Sequence, residues 1–191
     1  MALLVLGLVV FLGAHSAKML APAWRAQWIA RLGPLPWRGV YAAVSLAGLV
    51  LIVVGFARAG PQAPLYTPPA ALRHLNALFT LAAFVLIAAA YVPGNHLKAA
   101  IGHPMLAGAK LWAFGHLLAT GTPRDVLLFG AFLLWAVADF AVSRRRDRAE
   151  GVVHPPGRLS GDAISALAGV VFWGVFAVFL HQRLIGVSPF G

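Results

Sequence analysis

The 191-residue chain has no cysteine, only five acidic residues, and few charges of any kind. Without cysteine there are no disulfides, thiolate metal sites, iron–sulfur clusters or thiol nucleophiles. Charged residues make up 10% of the chain, against about 25% in an ordinary soluble domain. That is too few to cover a globule of this size with a wetted surface. There is also no Ser-His-Asp arrangement, no phosphate-binding glycine loop and no paired-carboxylate motif, so hydrolytic chemistry lacks its reagents.

What the chain has in quantity is apolar sequence, 61% of all residues, arranged in long runs. A helix needs about 20 apolar residues to cross a bilayer. The runs predict about six spans, near residues 2–20, 39–57, 71–92, 105–120, 125–143 and 163–180. The expected fold is all-α, a polytopic transmembrane helix bundle forming a single domain over residues 1–191. Pro93-Gly94 ends the third run, and Gly121 with Pro123 ends the fourth. The Pro-rich stretch from Gly60 to Pro69 cannot be helical throughout. Residues 2–14 resemble a signal peptide in hydropathy. No basic residue precedes them and no small-x-small site comes after, so they are read as a retained first span.

The net charge of +10 would suit a nucleic-acid binder, but the basic residues flank apolar runs instead of lining one face. Flanking clusters orient membrane proteins. With the N-terminus outside, the inner segments hold ten basic residues: Lys18, Arg25, Arg31, Arg38, Lys98, Arg144, Arg145, Arg146, Arg148 and Arg158. The outer ones hold four: Arg58, Arg73, Arg124 and Arg183. Both termini are therefore expected outside, which in a bacterium is the periplasmic side of the inner membrane. Trp24, Trp28 and Trp37 mixed with Arg25, Arg31 and Arg38 read as a headgroup-layer loop.

Ionisable groups inside a span are costly and each needs a reason. His154 falls in a solvated basic loop, His74 and His181 at outer span ends, and His96 in an inner loop. His15 and His116 lie inside spans one and four, and His103 stands just before span four. One reading is that they are neutral histidines satisfied by helix carbonyls. The other is a haem, ligated by two histidines from facing helices, with small residues such as Gly13, Ala14, Ala113 and Gly115 beside the ligands. His116 lies about 16 Å along its span from Met105, at 1.5 Å per residue. By depth His15 with His116 and His15 with His103 both remain open as the pair. Zinc is disfavoured because no carboxylate or cysteine is close in sequence. Lys110 and Asp139 are the other intramembrane charges. They are expected to pair, with each other or Asp139 with Arg144, or Lys110 to meet a bound propionate.

The segment from His103-Pro104-Met105 through Lys110-Leu111-Trp112-Ala113-Phe114-Gly115-His116 resembles the signature of the NnrU family. Gly13-Ala14-His15-Ser16 resembles that family's first-span histidine, and Pro36 to Tyr41 the start of its second span. The residue before His103 is Gly102, where the family pattern has arginine. The resemblance covers about residues 2–185. It implies a role in denitrification, supporting nitrite and nitric oxide reductase activity. It also implies kinship with 15-cis-zeta-carotene isomerase, a membrane haem b enzyme whose ligands would fall on His15 and His116. That isomerase has a cysteine where this chain has Ala113, which puts isomerase chemistry in doubt.

Three functions are expected from these features. The first is a haem b protein acting with nitrite or nitric oxide reductase components, by redox sensing or by electron or haem delivery. The second is a haem-dependent isomerase of a polyene lipid, and the third a cofactor-free assembly factor. No role with nucleic acid is expected. Transport has little support, because no broken-helix pair recurs in the two halves.

Overall fold

The computed structural model describes residues 1–189; Phe190 and Gly191 lie outside the described residues. Helices occupy most of the chain, and no strand occurs among the described residues. The helices form two compact units, Met1–Gln62 and a larger one from Ala63 onward.

The first unit consists of α1 (Ala2–Leu20), α2 (Pro22–Leu32) and α3 (Pro34–Arg58). Pro22 and Pro34 each occupy the first turn of a helix, where the missing N–H has no helical partner to lose. α1 and α3 run antiparallel and touch through glycine. A Cβ added at Gly55 would run into the Leu4 backbone, one at Gly7 would lie 2.5 Å from the Ile52 nitrogen, and one at Gly48 2.8 Å from the Phe11 nitrogen. The two backbones are therefore in close contact at these three glycines. Small-residue contact of this kind holds helices together in lipid, where apolar side chains gain nothing by leaving the tails. The Trp24 ring packs edge-on to Trp28 and Trp37, at 6.1 and 5.9 Å between centroids. The expected headgroup-layer loop is thus largely the helix α2, and the second span begins at Pro34 instead of residue 39.

The larger unit contains α4 (Ala71–Tyr91), α5 (His96–Ile101), α6 (Pro104–Ala119), α7 (Pro123–Ala149) and α8 (Leu159–Val175). α8 continues through a π-helical turn (Phe176–Leu180) into α9 (His181–Ile185). α4 packs antiparallel to α6 on one side and to α8 on the other; α7 packs on α6. Glycines again set the approach: Gly108 and Gly115 of α6 meet Ala83 and Phe79 of α4, and Gly169 of α8 meets Val85. The Trp173 indole adds a cross-link, donating to the Thr80 hydroxyl at 3.1 Å.

Polar groups tie the helix ends. Asn95, 1% exposed, accepts from the Lys98 amide and donates to the carbonyls of Ala89 and Val92. Thr122 and Asp125 form a reciprocal capping box that starts α7, the Thr122 hydroxyl lying 2.6 Å from Asp125 Oδ2. The segment before α4 is pinned by the Leu65 amide donating to Gly121 at 2.8 Å and by the Tyr66 hydroxyl donating to the Leu117 carbonyl. Burial, aided by the nearby Asp125 carboxylate, pushes the Tyr66 phenol above its ordinary range.

Among the described residues five helical stretches are long and apolar enough to cross a membrane: α1, α3, α4, α7 and the continuous α8–α9 segment. α6 has 16 residues, about 24 Å, short of a hydrocarbon core of about 30 Å. The outward surface of these helices is apolar. Val9, Leu46, Leu134 and Leu167 are each more than 60% exposed, while Ala83, Ala89, Ala113 and Ala136 are fully buried. Large apolar side chains turned outward, with small residues at the closest helix contacts, is an arrangement for lipid. α7 runs six residues beyond the expected end at 143, so Arg144 to Arg148 lie on the helix. Arginine is a good helix former, and the charges need only clear the hydrocarbon. The last span likewise starts at Leu159, ahead of the expected 163, and ends at Ile185.

Candidate functional site

His15 sits on α1 with its ring stacked on Phe11 (4.1 Å between centroids) and tilted against Tyr41 of α3 (5.3 Å). Its Nδ1 lies 2.7 Å from the Phe11 carbonyl, four residues back. His116 on α6 repeats the arrangement. Its Nδ1 lies 2.8 Å from the Trp112 carbonyl, its ring stacks on Phe129 (4.4 Å, 20°), and Trp112 flanks it at 5.3 Å. Long side chains on a helix lean back over the preceding turn, which brings each imidazole to the carbonyl at i−4. A carbonyl can only accept, so in both residues Nδ1 carries the proton. The neutral ring then keeps its lone pair on Nε2, the form in which histidine ligates a metal.

The small residues beside these histidines divide in use. Around Gly13 the space is open: a Cβ there would meet nothing within 4 Å. Gly115 and Ala113, expected to admit a flat macrocycle, are taken up by helix packing instead. A Cβ on Gly115 would lie 2.6 Å from Asn76 Oδ1 and 2.8 Å from Phe79 Cβ, and Ala113 is fully buried. The approach to His116 is bordered by the aromatic faces of Trp112 and Phe129.

His103 has a different setting. It precedes α6 by one residue and stands thirteen residues from His116, about 20 Å along the axis. Its Nε2 lies 2.8 Å from Asp147 Oδ2. His154 Nε2 is 3.6 Å from the same oxygen, so one carboxylate serves two imidazoles. Gly102 fits between these groups with φ +77°; a Cβ there would press on Arg144 Nη1 at 2.7 Å and on His154 Nε2 at 2.9 Å. Glycine is required at this position both for its backbone angle and for space. The same end of the unit holds a second pair, His96 Nδ1 to Asp162 Oδ2 at 2.6 Å.

Lys110 and Asp139 do not pair with each other. The Lys110 ammonium lies 3.5 Å from the centroid of the Phe140 ring, a cation–π contact, and Asp139 accepts from the Ser143 hydroxyl at 3.2 Å. Sequence reasoning missed the His103–Asp147–His154 and His96–Asp162 groups. Their partners are 44 and 66 residues apart, and Asp147 is hidden among the arginines around it. Among the described residues no group of three or more His, Cys, Asp or Glu side chains is arranged to hold a metal ion.

Haem asks less of the protein side chains, an imidazole that presents Nε2, and the Nδ1–H tautomers of His15 and His116 are the form that does so. The helices and their lipid-facing surfaces define a polytopic α-helical membrane protein with histidines set within its apolar helices. The NnrU protein family matches residues 3–189, and the chain belongs to that family. No curated protein and no solved structure matches it.

Proposed function

We propose that this NnrU-family protein of the bacterial inner membrane binds haem b, with His15 and His116 as the candidate ligands, each through Nε2, and supports denitrification. The observation that carries the reading is the shared geometry of the two histidines. Each holds its proton on Nδ1 by donating to the carbonyl four residues back, which would make Nε2 the ligating atom. Aromatic stacking by Phe11 and Phe129 fixes the ring planes. Haem bound in this way would supply a one-electron couple. Bis-histidine ligation leaves no open iron position for a gas, which favours electron transfer or redox sensing toward nitrite or nitric oxide reductase over direct chemistry on nitric oxide. The distribution of the basic residues supports termini on the periplasmic side.

The test is the visible spectrum of the detergent-purified protein, oxidised and then dithionite-reduced. The expected result is a sharp Soret band that shifts on reduction, with resolved α and β bands. A flat visible spectrum after expression with added haem would overturn the proposal.

A further inference from the structure

α7 sorts its polar side chains by face. At about 100° per residue, Leu134, Val137, Ala141, Arg145 and Arg148 fall within about 80° of one another. All five are exposed, Leu134 to 74%, so this stripe is the face that the helix turns outward. Asp125, Asp139, Ser143 and Asp147 lie about 140–180° round the helix from Leu134. They are engaged there: Asp125 with Thr122, Asp139 with the Ser143 hydroxyl, and Asp147 with His103 and His154. Glu150, which follows α7 in helical conformation, falls on the same far side. The chain beyond it turns that way too. Gly151, at φ +64°, reverses direction, the Val152 amide donates to the Asp147 carbonyl at 2.9 Å, and His154 closes on the Asp147 carboxylate. Carboxylates and His154 are thereby gathered on one side of α7, with Arg145 and Arg148 on the other.

The depth of the two arginines is as specific as their face. Leu134 stands near the middle of α7, almost midway between Arg124 and Arg145. At 1.5 Å per residue, Arg145 is about 16 Å along the axis from Leu134 and Arg148 about 21 Å. Half of a hydrocarbon core is about 15 Å. Arg145 therefore meets the level where acyl chains join their headgroups, and Arg148 stands one turn further out, among the headgroups. Residues three apart on a helix are neighbours, so the two guanidinium groups can converge on one anion. Each presents a planar fork that matches two oxygens of a phosphate. Between residues 144 and 158 the chain has five arginines against two carboxylates, which leaves this end of the unit positive.

We propose that Arg145 and Arg148 form a binding site for a phospholipid with a net-negative headgroup. Its acyl chain lies along Leu134, Val137 and the small Ala141, and its phosphate meets the two guanidinium groups. Charge complementarity selects the anionic kind. A headgroup with an ammonium or choline group beside the phosphate brings a cation to a cationic site, whereas an anionic one gains from both arginines.

The test titrates phosphatidylglycerol, phosphatidylcholine or inorganic phosphate into the detergent-purified full-length protein. Bound lipid is read by native mass spectrometry and stability by apparent Tm. The unsubstituted protein is expected to hold phosphatidylglycerol in preference to phosphatidylcholine, and to gain Tm with phosphatidylglycerol alone. An arginine at the membrane surface changes affinity for anionic lipid about fivefold, so Arg145→Gln combined with Arg148→Gln should weaken phosphatidylglycerol binding about 30-fold. Arg148→Gln alone should weaken it about fivefold, and serves if the double variant does not fold. Arg73→Gln combined with Arg183→Gln removes as much charge from the opposite end of the unit and should leave the preference intact. Equal binding of the two lipids would overturn the proposal. So would a preference unchanged in the Arg145 and Arg148 variants, or lost equally in the Arg73 and Arg183 variant, which would reduce the site to overall charge. A Tm gain from inorganic phosphate equal to that from phosphatidylglycerol would overturn lipid as the occupant.

Discussion

The imidazole of His116 donates through Nδ1 to the carbonyl of Trp112, one turn earlier on the same helix, at 2.8 Å. The bond needs no partner from another helix, so tautomer and ring direction are set as soon as α6 forms. For His116→Ala we expect loss of the haem bands with the protein still folded, and for His15→Ala a changed spectrum. Full haem content and an unaltered spectrum in both variants would remove these residues from the site.

The glycine contacts between α1 and α3 make a second expectation. Gly55→Leu would drive a side chain into the backbone of Leu4, where there is no room even for a Cβ. Overpacking of a tight contact costs about 1–3 kcal/mol or more, and here backbone would have to move. The apparent Tm in detergent should fall by several degrees. Gly13→Leu, with open space around it, should leave Tm near the parent value.

Asp147 is shared by His103 and His154 at the end of α7. Asp147→Asn removes the charge while keeping the size, and should loosen this junction. Limited proteolysis in the segment from Gly151 to Arg158 reads the loss directly. Unchanged cleavage there would show that the junction is held by other contacts.

The cysteine-free sequence allows single-cysteine mapping without prior substitution. Val153 is 88% exposed and Leu65 is 65% exposed, on segments at opposite ends of the larger unit. An impermeant maleimide should label Leu65→Cys in intact cells and Val153→Cys only after permeabilisation. The reverse pattern would invert the proposed orientation.

Much of the architecture could be read from residue order. Backbone N–H and C=O groups cannot stay unpaired in lipid, so each long apolar run has to be a helix. The runs therefore predicted the spans, and Pro22, Pro34, Pro104 and Pro123 mark helix starts for a local reason. The intramembrane histidines also stood out, because a polar group in an apolar run is conspicuous by itself. Span ends were less legible. Arg144 to Arg148 continue α7, since charge ends hydropathy without ending a helix.

Only the tertiary structure decided which distant residues meet. It gave His103 to Asp147, Lys110 to the face of Phe140, and Gly115 to the packing of α4. It alone disclosed the π turn within the last span. The physical reason is range. Lipid acts on every residue according to its own polarity, so the spans are determined one segment at a time. Contacts between helices depend on the pairing and rotation of whole segments, which no single stretch of sequence contains.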